Sequence, residues 1–193
     1  MANQEGSIYK VRIELLNIPY PAWRILLLPG MIPMDLFLHM LIVGMGWQDY
    51  HMYLLRVGDI EYQPTESPEY AEDGVEYRDS NKTIVCNELK KGDTAYMEYD
   101  FGDSWGHKIT IEDVLKTTRY KLPACLDGAG ACPPEDCGGE YGIDNIVNLM
   151  ENPSLDRDEY EDLVGWLGGR FNKDAFSAKK MTQILRGLFV TQN

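Results

Sequence analysis

The chain has 193 residues and a formal net charge of −13, with 31 acidic side chains against 18 basic ones. Its length suits one domain with a sizeable core, and its hydrophobic fraction of 44% excludes collagen-like, coiled-coil and fully disordered proteins. The acidic balance disfavours a protein that binds nucleic acid by neutralising phosphates.

The most apolar stretch, residues 25–47, is interrupted by Pro29, Gly30 and Pro33. No apolar run therefore reaches the ~20 residues that a membrane-spanning helix needs. The first residues lack a basic segment followed by an apolar one, so we expect no secretory signal and a cytoplasmic protein. In that compartment the four cysteines are expected to be reduced thiols or metal ligands, not disulfides.

The first 63 residues predict a β-grasp-like arrangement. Apolar side chains alternate from Tyr9 to Leu15, which indicates a half-buried strand, and residues 23–28 are apolar on both faces, as in a central strand. Pro33 and Asp35 open a helix, and Gly44 and Gly46 end it. Residues 50–57 and a short following segment complete the order strand, strand, helix, strand, strand, which predicts an α+β fold with a mixed sheet.

The remainder of the chain predicts a second hairpin and C-terminal helices within one domain, residues 1–193. Residues 63–80 are acidic and contain Pro64 and Pro68, which predicts a mobile insertion. Alternation on both sides of residues 102–105 indicates a hairpin, and residues 122–140 form a loop rich in Cys, Pro and Gly. Asp156 with Glu159 suggests a capping box, and Ser177 caps a last helix with Ala178, Met181, Ile184, Leu185 and Leu188 directed inward.

The three thiols of the loop make it a candidate zinc site. Cys125, Cys132 and Cys137 are separated by six and four residues, and the first gap is wider than structural zinc sites usually show. His107 is the best candidate for a fourth ligand, ahead of His51. Reduced cysteines that pack beneath the loop are the alternative.

The hairpin turn at residues 99–107 combines aromatic, acidic and histidine side chains, which predicts a binding surface. Together with the loop, the candidates are Tyr99, Asp100, Asp103, Trp105, His107, Glu135 and Asp136. In the structural alternative, the acids cap the turn, Trp105 packs on the sheet and His107 is a satisfied partner.

The same acids could form a hydrolytic metal centre with His51 or His107, provided that the hairpin turn and the Cys-rich loop converge. The spacing alone does not show that they do. The chain contains no HExxH motif, no nucleophile elbow and neither glycine-rich phosphate motif, so a nucleotide cofactor is not expected.

Several segments together resemble the Ri-plasmid open-reading-frame-three-like proteins, which are also catalogued as insertion-element passenger, resolvase-like proteins. The matching segments are residues 21–24, 45–47, 49–51, 99–107, 132–139 and 166–168, followed by Phe171 and Phe176. The resemblance implies a single α+β domain and no particular activity, and Asn172-Lys173 stands where the family usually has Asp-Pro. An activated serine among several arginines and a basic recognition helix are not evident in this acidic chain, so the resolvase label describes genomic association.

From these features we expect a non-catalytic cytoplasmic binding module for an unknown protein or small ligand, without nucleic-acid or membrane binding. Its surface would be the hairpin turn beside the Cys-rich loop. The alternatives are a metal-dependent, possibly hydrolytic enzyme, a structural zinc protein, and a DNA-associated accessory of a mobile element.

Overall fold

Alternating apolar side chains build an eight-stranded mixed sheet that organises the whole structure. The computed structural model describes residues 7–64, 74–116 and 119–189. Its strands are β1 (Ser7–Leu15), β2 (Trp23–Pro29), β3 (Tyr53–Val57), β4 (Ile60–Gln63), β5 (Glu76–Asp79), β6 (Thr94–Tyr99), β7 (Trp105–Lys116) and β8 (Ala124–Ala129). They lie in the order β5-β4-β3-β6-β7-β1-β2-β8. β4 and β5 are parallel and the other neighbours are antiparallel.

The described residues form five helices beside the sheet: α1 (Met34–Met45), α2 (Val85–Glu88), α3 (Gly139–Glu151), α4 (Arg157–Leu167) and α5 (Ala178–Phe189). α1 packs against β2 and α5. Its side chains Phe37, Leu38 and Leu41 are completely buried. α5 packs on β8 and α1 through the buried Met181 and Leu185. Within the described ranges, no helix is both long and apolar enough to cross a membrane.

The predicted α+β class, the mixed sheet and the order strand, strand, helix, strand, strand are confirmed. The second hairpin, β6–β7, lies in the middle of the sheet between β3 and β1. The predicted cap of α4 is present, because the Asp156 side chain accepts a hydrogen bond from the Glu159 backbone N–H at 3.0 Å. The sheet therefore joins the N-terminal unit and the later hairpin into one core.

Two details differ from the sequence prediction. In α5 only part of the predicted inward face is buried: Ile184 and Leu188 are 39% and 61% exposed, because the helix contacts the core mainly through one narrower stripe. The predicted insertion at residues 63–80 includes β5, which pairs with β4, whereas residues 65–73 of that prediction lie outside the described residues.

The pairing of β3 with β6 positions the candidate site. Tyr53 lies opposite Tyr99, so the residues before β3 meet those after β6. The pairing continues beyond the strands, since the Asp100 backbone N–H donates to the Met52 carbonyl at 2.8 Å. His51, just before β3, is thereby brought to the hairpin turn although the two are far apart in sequence.

Candidate functional site

The β6–β7 turn fixes the orientation of the Asp100 carboxylate. Asp100 has a φ of 59°, a left-handed conformation that Asp tolerates better than most side chains. Its Oδ1 accepts backbone hydrogen bonds from Gly102 at 2.9 Å and Asp103 at 3.3 Å. Asp100 is 5% exposed, and its other oxygen, Oδ2, is directed towards His51.

The Cys-rich loop and the hairpin turn converge. The Gly138 backbone N–H donates to Asp103 Oδ2 at 3.2 Å. At Gly139, where φ is 66°, an added Cβ would lie only 2.7 Å from the Asp103 carbonyl oxygen. This close approach and the left-handed backbone both require glycine at residue 139. α3 begins there, so the contact anchors the end of the loop.

Three carboxylates from the two loops surround one nitrogen of His51. His51 Nε2 lies 3.3 Å from Asp136 Oδ1, 3.4 Å from Asp100 Oδ2 and 3.9 Å from Glu135 Oε2. The His51 side chain is 22% exposed, whereas that of Glu135 is only 7% exposed. The site is thus closed on the Glu135 side and open beside Asp136, whose side chain is 63% exposed.

Hydrogen bonds to Oε1, the carboxylate oxygen that does not face His51, fix the Glu135 side chain. Glu135 Oε1 accepts hydrogen bonds from the Gln48 backbone N–H at 2.6 Å and the Tyr99 hydroxyl at 3.1 Å. Burial raises the pKa of Glu135 above its ordinary value, although the hydrogen bond from Gln48 opposes this change. Glu135 Oε2 is buried and has no hydrogen-bond partner among the residues that the structure describes.

His51 Nε2 is likewise buried without a hydrogen-bond partner. Buried polar atoms are nearly always hydrogen-bonded, so two orphaned atoms that face each other require an explanation. His51, Asp100 and Glu135 each offer a metal-ligating atom, and these atoms all lie within 4.8 Å of one another. Two tetrahedral ligands about 2.0–2.2 Å from a zinc ion are about 3.4 Å apart. The distance from His51 Nε2 to Asp100 Oδ2 matches this value, and that to Glu135 Oε2 is 0.5 Å longer, at 3.9 Å.

An aromatic cluster forms the floor of the site. The Trp47 ring stacks on Trp105 with centroids 5.4 Å apart and lies 5.5 Å from the Tyr99 ring. Trp47 Nε1 donates to His107 Nε2 at 3.4 Å, and burial lowers the pKa of His107 to about 4. Trp105 and His107 are therefore buried beneath the site, where the neutral imidazole accepts a hydrogen bond.

The four predicted zinc ligands are arranged differently. Cys125 is on β8, Cys132 and Cys137 are in the loop, and all three are free thiols. They and His107 do not form a group whose ligand atoms all lie within 4.8 Å. Burial raises the thiol pKa to about 11 in Cys125 and about 12 in Cys137, and well above its ordinary value in Cys132. These surroundings favour protonated thiols.

Among the predicted surface residues, Tyr99, Asp100, Glu135 and Asp136 meet around His51, and Asp103 joins the loops. Sequence reasoning did not identify two further participants, the Gln48 backbone and Tyr50, whose hydroxyl donates to Asp136 Oδ2 at 3.0 Å. It named His51 as the second choice for the thiol zinc site and, beside His107, as a candidate histidine of a hydrolytic metal centre. The missing signal was the pairing of β3 with β6, which no local pattern reveals.

Comparisons with known proteins agree with this fold. The family model described as plasmid pRiA4b ORF-3-like protein matches residues 7–180. An uncharacterised protein, y4hQ of Sinorhizobium fredii, is 25% identical over 163 residues, which cover 84% of this chain and 82% of the relative. The crystal structure of MM3350, a protein of unknown function from Methanosarcina mazei, has a TM-score of 0.78 at 24% identity, covering 92% of this chain and 98% of that one. The chain belongs to the plasmid pRiA4b ORF-3-like protein family.

Proposed function

We propose that the protein is a binding module for a divalent transition-metal ion. His51 Nε2, Asp100 Oδ2 and Glu135 Oε2 are the ligands, and Asp136 lies at the open side. One imidazole nitrogen among carboxylate oxygens suits Zn²⁺, Mn²⁺ or Fe²⁺ better than Ca²⁺ or Mg²⁺, which prefer oxygen ligands alone.

The observation that carries this proposal is the pair of buried, unpartnered atoms, His51 Nε2 and Glu135 Oε2. Surface acids often cluster without a ligand, but here one carboxylate is 7% exposed and its free oxygen faces an imidazole nitrogen across 3.9 Å. A cation between them would satisfy both atoms and offset the repulsion among the three carboxylates.

Elemental analysis and calorimetric titration test the proposal. Protein purified without chelator should carry metal, and after chelator treatment and dialysis it should bind one Zn²⁺ or Mn²⁺ per chain. His51→Ala should remove this binding, whereas Cys132→Ser should retain it, which distinguishes the site from the thiol loop. Absence of binding in the wild-type chain, or unchanged binding in His51→Ala, would contradict the proposal.

Metal-dependent hydrolysis is a second candidate, favoured by the open side of the site. Three protein ligands plus a free position for water are typical of catalytic zinc sites. The bound ion would lower the pKa of that water, and Asp136, 63% exposed, is placed to accept its proton. Cleavage of bis(p-nitrophenyl) phosphate by the metal-loaded protein, abolished in His51→Ala, would support this function. If the metal-loaded protein does not cleave this substrate, the hydrolytic function is contradicted and the metal-binding function is retained.

We also propose that the protein does not associate with DNA. The excess of acidic over basic side chains in the sequence supports this view, because duplex DNA repels a surface of its own sign. A shift assay with duplex DNA at low salt should show no complex. A complex that dissociates as salt increases would favour a DNA-associated accessory protein instead.

We propose a cytoplasmic location, since the four cysteines are free thiols. A reducing compartment keeps such thiols reduced. Cell fractionation should recover the protein with cytoplasmic markers, and recovery in a membrane or secreted fraction would contradict this location.

A further inference from the structure

The buried guanidinium of Arg24 is a second unusual feature, and its positive charge contrasts with the carboxylates of the cation site. Arg24 is 2% exposed. Its Nη1 donates to the carbonyls of Trp23 and Ala129 at 2.8 and 2.7 Å, and Nη2 donates to the Met45 carbonyl at 2.9 Å. Within the described part of the chain, Nε has no hydrogen-bond partner. Of the residues that the structure describes, none places a carboxylate within 4 Å of this guanidinium.

The partners of Arg24 supply only partial negative charge. Met45 is in the last turn of α1, where the helix dipole is negative, and the Phe176 ring lies 4.4 Å from the guanidinium carbon. Buried charges are nearly always paired with an opposite charge or a metal. The arrangement of Arg24 therefore lacks a counter-ion, in a chain that otherwise has an excess of acids.

A cleft of about 540 Å³ lies beside Arg24. Lys180 and Ser177 line it at the start of α5, and Ser177 Oγ accepts the Lys180 backbone N–H at 3.3 Å. The first turn of a 12-residue helix carries partial positive charge, which adds to that of the two basic side chains. None of the described residues that line the cleft is acidic.

Part of the cleft wall is apolar. Met45, Phe176, Met181 and Ile184 contribute side chains to it. A bare inorganic anion would leave this apolar surface unused, whereas a small organic anion would place its charged group near Lys180 and Arg24 and its body on the walls. The volume of the cleft is within the range of small-molecule sites.

We propose that this cleft binds a small organic anion, a carboxylate or phosphate monoester with an apolar body. The charged group lies at the start of α5, near Lys180, and serves as the counter-ion of Arg24. The site is separate from the His51 cation site, since neither His51, Asp100 nor Glu135 lines the cleft. The two proposals therefore stand or fall independently.

Amide NMR titrations of the full chain test this site with benzoate, phenyl phosphate and the uncharged benzyl alcohol as probes. The two anions should shift the amide signals of Ala131, Ser177 and Lys180 at millimolar concentration, and the stronger binder identifies the preferred charged group. Benzyl alcohol should bind at least about tenfold more weakly. Absence of shifts with both anions, shifts confined to other regions, or equal binding of benzyl alcohol would overturn the proposal.

A matched pair of lysine variants provides the control. Lys180→Gln should weaken anion binding about fivefold, as expected for the loss of one partly exposed charge. Lys179→Gln removes the same charge from the neighbouring exposed residue, which does not line the cleft, and should leave binding unchanged. Equal effects of the two variants would show a general charge effect and overturn the site. Both side chains are exposed, so neither variant should impair folding.

Discussion

Two histidines of this protein lie among carboxylates, and the difference between them shows what makes a cation site. Asp49 Oδ2 is 2.6 Å from His39 Nδ1, and Asp35 Oδ2 is 3.2 Å from Nε2, so the acids occupy opposite sides of the ring. At His51, three carboxylates converge on the single atom Nε2. The residue types are alike, but only the second arrangement leaves a common point for an ion.

Both ring nitrogens of His39 have hydrogen-bond partners, Asp49 on one side and Tyr53 on the other, although the buried Asp49 Oδ1 has none among the described residues. The Tyr53 hydroxyl donates to Asp35 Oδ1 at 2.5 Å, and the Ser80 hydroxyl donates to the same oxygen at 3.0 Å. His39 therefore bridges α1 to the segment before β3. A fully paired imidazole of this kind stabilises a fold, whereas the unpaired Nε2 of His51, facing the unpaired Oε2 of Glu135, is a cost that a ligand can offset.

The largest expected difference is in metal affinity. His51→Ala removes one direct ligand, so the affinity for Zn²⁺ should fall by at least ~100-fold. His39→Ala should change it by less than about threefold, because the carboxylates of the His39 cluster do not share a nitrogen. Titration calorimetry of both variants measures the contrast. Similar losses in the two variants would show that the clusters are not distinct.

The stability of the metal-free protein should depend more on His39 than on His51, the opposite of what is expected for metal affinity. His39→Gln breaks charge-assisted hydrogen bonds and should lower the free energy of unfolding by about 1–3 kcal/mol. The hydrogen bond to Asp49 raises the pKa of His39 in the folded state. The protonated bridge therefore stabilises fully below the unfolded pKa, and its contribution is lost as the pH rises through the raised folded value.

Denaturant titrations across the pH range, comparing wild type with His39→Gln, measure this effect. The difference in unfolding free energy should be largest at acidic pH and should shrink towards alkaline pH. A difference that grows with pH would contradict the bridging role of His39.

Metal affinity should depend on pH through Glu135. Because burial raises its pKa, the empty site retains a proton on Glu135 to higher pH than an exposed glutamate would. The ion needs the ionised carboxylate, so affinity should fall as the pH decreases through that raised pKa, by up to about tenfold per pH unit for one released proton. Calorimetry in buffers of different ionisation enthalpy counts the released protons, and affinity independent of acidic pH would contradict this assignment.

The smallest expected effect is a gain in the stability of the metal-free protein when the metal-ligating residue Glu135 is substituted. Glu135→Gln keeps an oxygen to accept from Gln48 and Tyr99, and it removes a buried negative charge. The metal-free variant should be more stable than wild type by about 1 kcal/mol while no longer binding metal. A variant that is clearly less stable than wild type would indicate a structural role for the Glu135 carboxylate.

Local patterns in the sequence predicted much of the fold, because they repeat within single elements. The alternation in β1, the stripe and stop of α1, and the Asp156 cap of α4 each depend on neighbouring residues. β5, β8 and α3 were not predicted, since β5 and β8 are short strands next to acidic or glycine-rich residues and α3 follows directly from the loop.

The site was predicted only in part for a related reason. The acids of the turn and the loop were recognised as candidates by their density, but their meeting at His51 depends on long-range pairing. The alignment of Tyr53 with Tyr99, and the contact of Gly139 with Asp103, bring these segments together. Sequence spacing contains neither relation, and it therefore left His51 and His107 as alternatives for the carboxylate centre, although His107 is buried in the aromatic floor.

The most direct test is a crystal structure of the zinc-loaded protein with anomalous data collected at the zinc absorption edge. The account predicts one strong anomalous peak about 2.0–2.2 Å from His51 Nε2, Asp100 Oδ2 and Glu135 Oε2. A peak between His39 and its acids, a peak at the thiols of the Cys-rich loop, or a stoichiometrically loaded crystal without a peak at His51 would contradict it.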